Sequence, residues 1–151
     1  MPKTCSTTPK NLVGRPSKLT PKRVKRLCKF LVEDVRIKQA CEYAQIKPWT
    51  FNHWMNLAKQ EIATKQAGRF SHFFLRVRRA QYAALIDRMA HKPPPKSGGW
   101  RASVWWLETM CPAEYGPPRV QRKLKQLSRD IDAAEKLLNE QKKQQQKSQH
   151  A

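Results

Sequence analysis

Apolar residues fall into a regular rhythm from about residue 20 onward. Val24, Leu27, Cys28, Leu31, Val32 and Val35 recur at steps of three and four, which predicts one stripe of a helix over about 22–35. Thr20-Pro21 supplies its start. A threonine side chain can cap, and proline suits the first helical position, where its missing N–H is not needed. A second, short helix fits 38–44, with Ala40, Cys41 and Ala44 inward. Gln45-Ile46-Lys47 interrupts the rhythm, and Pro48 opens a third helix, through about Gln60, whose inward face is Phe51, Trp54, Met55 and Ala58. Ala67-Gly68 ends or kinks that segment, and Ser71 is expected to cap a long helix over about 72–91. Phe73/Phe74, Val77, Ala80/Gln81, Ala84/Leu85 and Met89 stripe this helix, leaving Arg76, Arg79 and Arg88 outside.

Pro93-Pro94-Pro95-Lys96-Ser97-Gly98-Gly99 is a loop, Trp100 opens a helix of about 100–110, and Cys111-Pro112 stops it. Residues 113–118 form a compact turn. Trp100, Trp105 and Trp106 are expected in the core, with Trp106 and Tyr115 locking that turn against helix 72–91; stacking on bases is their other use. Beyond the turn, Val120, Leu124, Leu127, Ile131, Ala134 and Leu138 are spaced 4, 3, 4, 3 and 4, a short heptad seam. An isolated helix of that length is marginal, so the seam is expected to need a partner, either a second copy or another subunit. QKKQQQKSQH then offers nothing to bury. No stretch alternates as a strand would, so the predicted fold class is all-α. The expected divisions are a basic arm (1–19), a helix-turn-helix unit (20–61), a central helical and oligomerisation region (62–118), a coiled-coil-like helix (119–140) and a disordered tail (141–151).

Charge changes the picture more than composition does. The 151 residues carry 31 Lys+Arg against 11 Asp+Glu, a formal charge of +20. Partitioned along the chain, residues 1–32 hold +9, 33–61 hold 0, 62–101 hold +8, 102–118 hold −2 and 119–151 hold +5. A polyanion is the natural partner, because neutralising phosphates releases their counterions. No run is long and apolar enough for a membrane span, and the opening MPKTCSTTPK has no apolar stretch suited to a secretory signal, so an intracellular site is expected. Cys5, Cys28, Cys41 and Cys111 are too far apart to present paired metal ligands, and reduced thiols are expected.

The helix pair 38–44 and 48–60 supplies what a major-groove reader needs: a short helix, a tight turn and an amphipathic helix with one free face. With Phe51, Trp54 and Met55 inward, Lys47, Trp49, Asn52, His53 and Asn56 project outward. Asn52 and Asn56 could pair with adenine edges, Lys47 with guanine or phosphate, and Thr50 with a phosphate from the first turn. The turn position before Ile46 favours a left-handed backbone, hence glycine. Gln45 there costs roughly 1 kcal/mol or forces a different turn. Upstream, Gly14-Arg15-Pro16 with Lys18 forms a short basic arm whose Arg15 could enter a narrow minor groove.

The ordered succession Gly14-Arg15-Pro16, Leu19-Thr20-Pro21, 39–46 (QACEYAQI), 50–55 (TFNHWM), 68–71 (GRFS), 84–88 (ALIDR), 99–108 (GWRASVWWLE) and 112–116 (PAEYG) resembles the small terminase subunit of tailed phages and prophages, in its helix-turn-helix form. The resemblance implies a homo-oligomer in the cytoplasm of a bacterial host, which binds double-stranded viral DNA and hands it to a large ATPase and nuclease subunit. Similar helix-turn-helix regions occur in transcriptional regulators and transposases, and a nucleoid-like architectural protein is a further class. The residues themselves also point away from an enzyme: there is no Gly-x-x-x-x-Gly-Lys-[Ser/Thr] phosphate loop, no clustered carboxylates, and His53, His72, His91 and His150 are isolated. No cofactor, metal or membrane partner is expected. The expected DNA contacts are therefore Arg15, Lys18, Lys47, Trp49, Thr50, Asn52, His53 and Asn56, with Val120, Leu124, Leu127, Ile131 and Leu138 for assembly.

Overall fold

Proline stands at the first position of four helices in the computed structural model, which describes residues 19–96 and 98–149. The basic arm with Arg15 and Lys18 lies outside the described residues. The helices are α1 (Pro21–Val32), α2 (Ile37–Tyr43), α3 (Pro48–Ala63), α4 (Arg69–Ala90), α5 (Trp100–Met110), α6 (Pro112–Tyr115) and α7 (Pro118–Gln149), with no strand among the described residues. The fold is all-α.

The first three helices end alike. Asp34, Gln45 and Lys65 each take a left-handed backbone (φ 60, 56 and 54) just past the last turn. The amide of the following residue bonds back five positions: Val35 to the Phe30 carbonyl, Ile46 to Cys41 and Gln66 to Glu61. This closure satisfies carbonyls that a helix end leaves orphaned. It also shortens α1, which stops at Val32 and sends Val35 into the following turn.

α4 is the hub, with α1, α3, α5 and α7 all packed on it, while α2 joins α1 to α3. Leu27 and Leu31 of α1, Ala40 and Cys41 of α2, Phe51 and Trp54 of α3, and Phe73 and Val77 of α4 share one apolar cluster. Phe73 meets Phe51 and Trp54 edge-on, with ring centroids 5.9 and 5.5 Å apart. A second cluster sets Leu85 of α4 against Leu124 and Leu127 of α7.

Three expectations need correction. Ser71 does not cap α4; Gly68 holds the cap position, and Ser71 sits in the first turn, where its amide and hydroxyl both donate to Glu61 Oε2 (2.7 and 2.6 Å). The seam of α7 finds its partner inside the chain. Leu124, Leu127, Ala134 and Leu138 are buried, as is Leu137, while Val120 and Ile131 are half-buried. Because α4 turns an apolar side toward α7, the seam is consumed in folding and is not a free assembly surface. Nor does α7 stop at 140. It runs to Gln149 through Lys and Gln, fair helix formers, with Gln141 donating to the Ala67 carbonyl at 3.0 Å. No helix among the described residues is long and apolar enough to cross a membrane.

Candidate nucleic-acid interface

The turn between α2 and α3 aims the second helix. Gln45 adopts the left-handed conformation that glycine would take freely, so the tight turn forms without glycine. Ile46 is then buried and anchors the turn, while Lys47, extended, places its carbonyl to accept from the Thr50 and Phe51 amides (2.9 and 3.2 Å). Pro48 occupies the first helical position, and no side chain caps the helix. The positive end of its dipole is left facing outward.

Downstream, Phe51, Trp54, Met55 and Ala58 hold α3 against the core. The opposite face is solvent-exposed and carries Trp49 (65% exposed), Asn52, His53 and Asn56, with Lys47 at its head. Lys59 and Gln60 continue this face, beyond the residues singled out from sequence. No carboxylate lies on it. Thr50 does not belong to it: its position follows the core side of the helix, and its hydroxyl is buried with no hydrogen-bond partner among the described residues. The structure therefore brings together five of the six α3-side candidates and removes Thr50.

The basic charge divides into spent and unspent parts. Arg78 Nε lies 2.9 Å from Asp130 Oδ2, Arg79 pairs with Glu135 at 2.7 Å, and Arg88 pairs with Asp34. Burial lowers the Arg78 pKa, with Asp130 opposing, and the Asp34 hydrogen bond raises that of Arg88. Three of the five arginines of α4 thus serve the fold. α1 is different. Lys22, Lys25, Arg26 and Lys29 fall at helical spacing along its exposed side, with no acidic residue in the helix. This row escaped the residue-level reading, although its three- and four-residue spacing was open to view.

The tryptophan helix also departs from expectation. No residue of α5 is buried. Trp100, Trp106 and Met110 are 72%, 54% and 62% exposed, and Tyr115 of α6 is exposed as well. Trp106 and Tyr115 therefore do not lock the turn against α4. α5 is tethered mainly at its edge, where Trp105 Nε1 donates to the Lys92 carbonyl (3.0 Å) and Lys92 Nζ donates to Glu108 (2.6 Å). Wheel geometry gathers Trp100, Val104, Leu107, Trp106 and Met110 into one broad apolar face, with the Arg101 guanidinium over the Trp100 ring at 5.7 Å.

Among the described residues, no three His, Cys, Asp or Glu side chains converge where they could hold a metal ion. Comparison with family models, curated proteins and solved structures returns no match to this chain.

Proposed function

We propose that the chain is a non-enzymatic double-stranded DNA-binding protein of the small terminase type. In this reading α2 and α3 act as a helix-turn-helix, and the protein assembles and presents DNA to a large ATPase and nuclease subunit. One observation carries the DNA reading: a tight left-handed turn at Gln45 leads into a helix whose exposed face gathers Trp49, Asn52, His53 and Asn56, headed by Lys47. Between Lys47 and Lys59 that face carries only uncharged polar and aromatic side chains, so its centre suits base edges better than phosphates, with asparagines able to make paired bonds to adenine. The basic row on α1, Lys22, Lys25, Arg26 and Lys29, is available for phosphate contacts that fix register without reading sequence. Packaging rests on the resemblance of the ordered motifs. With the seam of α7 buried, assembly is assigned in this reading to the tryptophan face of α5, supported by its exposed apolar side chains.

The test pairs selection of bound sequences from a random duplex library with binding at several salt concentrations. Asn52→Ala is expected to lose about 1–3 kcal/mol of discrimination at one or two base positions. Lys29→Ala should weaken every sequence alike and lower the salt slope by about 1. If both variants lower binding to all sequences equally, α3 is not reading the groove. A native mass near a closed ring supports the packaging reading, whereas a dimer on a palindromic site supports a transcriptional regulator.

A further inference from the structure

α1 and α4 run parallel, and the seam between them opens into successive depressions. Residues 19–24 lie across from 69–76 in the first, and residues 25–32 from 76–83 in the second. The second is a trench of about 390 Å³. Lys25, Cys28 and Val32 form the α1 wall, and Arg76, Arg79, Ala80 and Ala83 the α4 wall. Its floor is apolar: Ala80 is buried, Cys28 half-buried, and Val32 and Ala83 are exposed.

The rim is cationic on both sides. Arg79 is taken by Glu135, but no carboxylate among the described residues pairs with Lys25 or Arg76. Lys22 and Lys29 extend the same sign along α1, and Arg69 along α4. The first acid beyond the trench on α4 is Asp87, which sits 3.3 Å from His91.

A phosphate backbone would meet the rim and leave the floor bare. An apolar helix would cover the floor and strand two cations. A segment that carries both carboxylates and aliphatic side chains satisfies both, as amphipathic helices do in grooves. Neither end of the chain offers one. Residues 1–18 have four basic and no acidic residues, and the acid-rich part of α7 has Leu137 and Leu138 buried, with Asp130 and Glu135 already paired.

We propose that the α1–α4 trench docks an acidic amphipathic segment of a partner protein. Its aliphatic side chains sit over Cys28, Val32 and Ala83, and its carboxylates reach Lys25 and Arg76. The site shares no residue with the exposed face of α3, but Lys25 also belongs to the α1 row proposed for phosphate contacts, so base discrimination by α3 and peptide docking are read separately.

The test uses the full chain and a fluorescent synthetic helix with leucine at every third or fourth position and glutamate elsewhere. A second peptide of the same composition, with its leucines scattered, is the control. The patterned peptide is expected to bind at least about tenfold more tightly than the scattered one. Ala83→Glu, which places a carboxylate on the floor, and the pair Lys25→Ala with Arg76→Ala should each weaken it by about tenfold. All three positions are exposed, and circular dichroism melts verify that the variants fold. Equal affinity for both peptides, absence of binding, or indifference to Ala83→Glu overturns the proposal. So does a short duplex DNA that displaces the peptide and loses affinity on Ala83→Glu, because the trench would then be a nucleic-acid site. Loss of sequence discrimination in Asn52→Ala bears on the DNA reading alone.

Discussion

The Thr50 hydroxyl is buried with no partner among the described residues, and this sets its chemistry. An unpaired buried hydroxyl carries a desolvation cost, and valine has nearly its shape without that cost. Thr50→Val is therefore expected to leave the protein equally stable or more stable by about 1 kcal/mol in urea titration. DNA affinity should stay unchanged. A loss of affinity in this variant would return Thr50 to the phosphate contact expected from sequence. Cys41 is a second buried group with a measurable consequence. Burial, with the Glu42 carboxylate adding, pushes its thiol up to about 11. The folded state thus holds the proton to higher pH than the unfolded chain, whose thiol titrates near about 8.5. This contribution is whole below the unfolded value and is lost as pH climbs toward the folded one. Cys28, raised by burial against the opposing Arg76, titrates in the same sense. Urea midpoints should fall from neutral pH to about pH 10, and fall less steeply in Cys41→Ala. Parallel slopes would mean that the thiol is not responsible.

At the level of elements, Glu61 joins two helices. It lies in the last turn of α3 and accepts from the amide and hydroxyl of Ser71 in the first turn of α4, a carboxylate at the positive end of a helix. Gly68 leaves room for it, since a Cβ there would run into the Glu61 carboxylate. Glu61→Ala should cost about 1–2 kcal/mol, and Glu61→Gln less, read from thermal melts. Equal losses would show that charge is not what caps α4. This joint was hidden in the sequence because Ser71 has the composition of a cap, while its actual partner lies ten residues upstream and across a turn. Local signals carried much of the rest. The apolar stripes of α1, α3 and α4 placed Leu27, Phe51, Trp54, Phe73 and Val77 inward, and all are buried, whereas Val32 of the α1 stripe is exposed at the edge of the seam with α4. The exposed face of α3 followed from the same periodicity. What periodicity does not encode is which element covers a stripe. The tryptophans of α5 read as core and the seam of α7 as needing another chain, yet it is the seam that is covered within the chain and α5 that has no buried residue.

That distinction decides how the whole molecule can be taken apart. Removing residues 119–151 looks like a clean way to abolish assembly when the seam is taken for a subunit interface. In the folded chain the same cut strips Leu124 and Leu127 from Leu85, takes Ala134 out of the main apolar cluster, and frees Arg78 and Arg79 from Asp130 and Glu135. Several core leucines lost together exceed the few kcal/mol by which a domain of this size is stable. The truncated protein is expected to lose its cooperative melt, and a change in its native mass would then say nothing about assembly. Trp106→Glu is the cleaner probe. Its side chain is 54% exposed and no residue of α5 is buried, so stability should move by less than about 1 kcal/mol. A charge placed on this apolar face, however, would be trapped against apolar surface in any interface formed there. The expected result is an unaltered melt with a native mass reduced toward the single chain. An unaltered melt with unaltered mass would exclude α5 as the assembly surface.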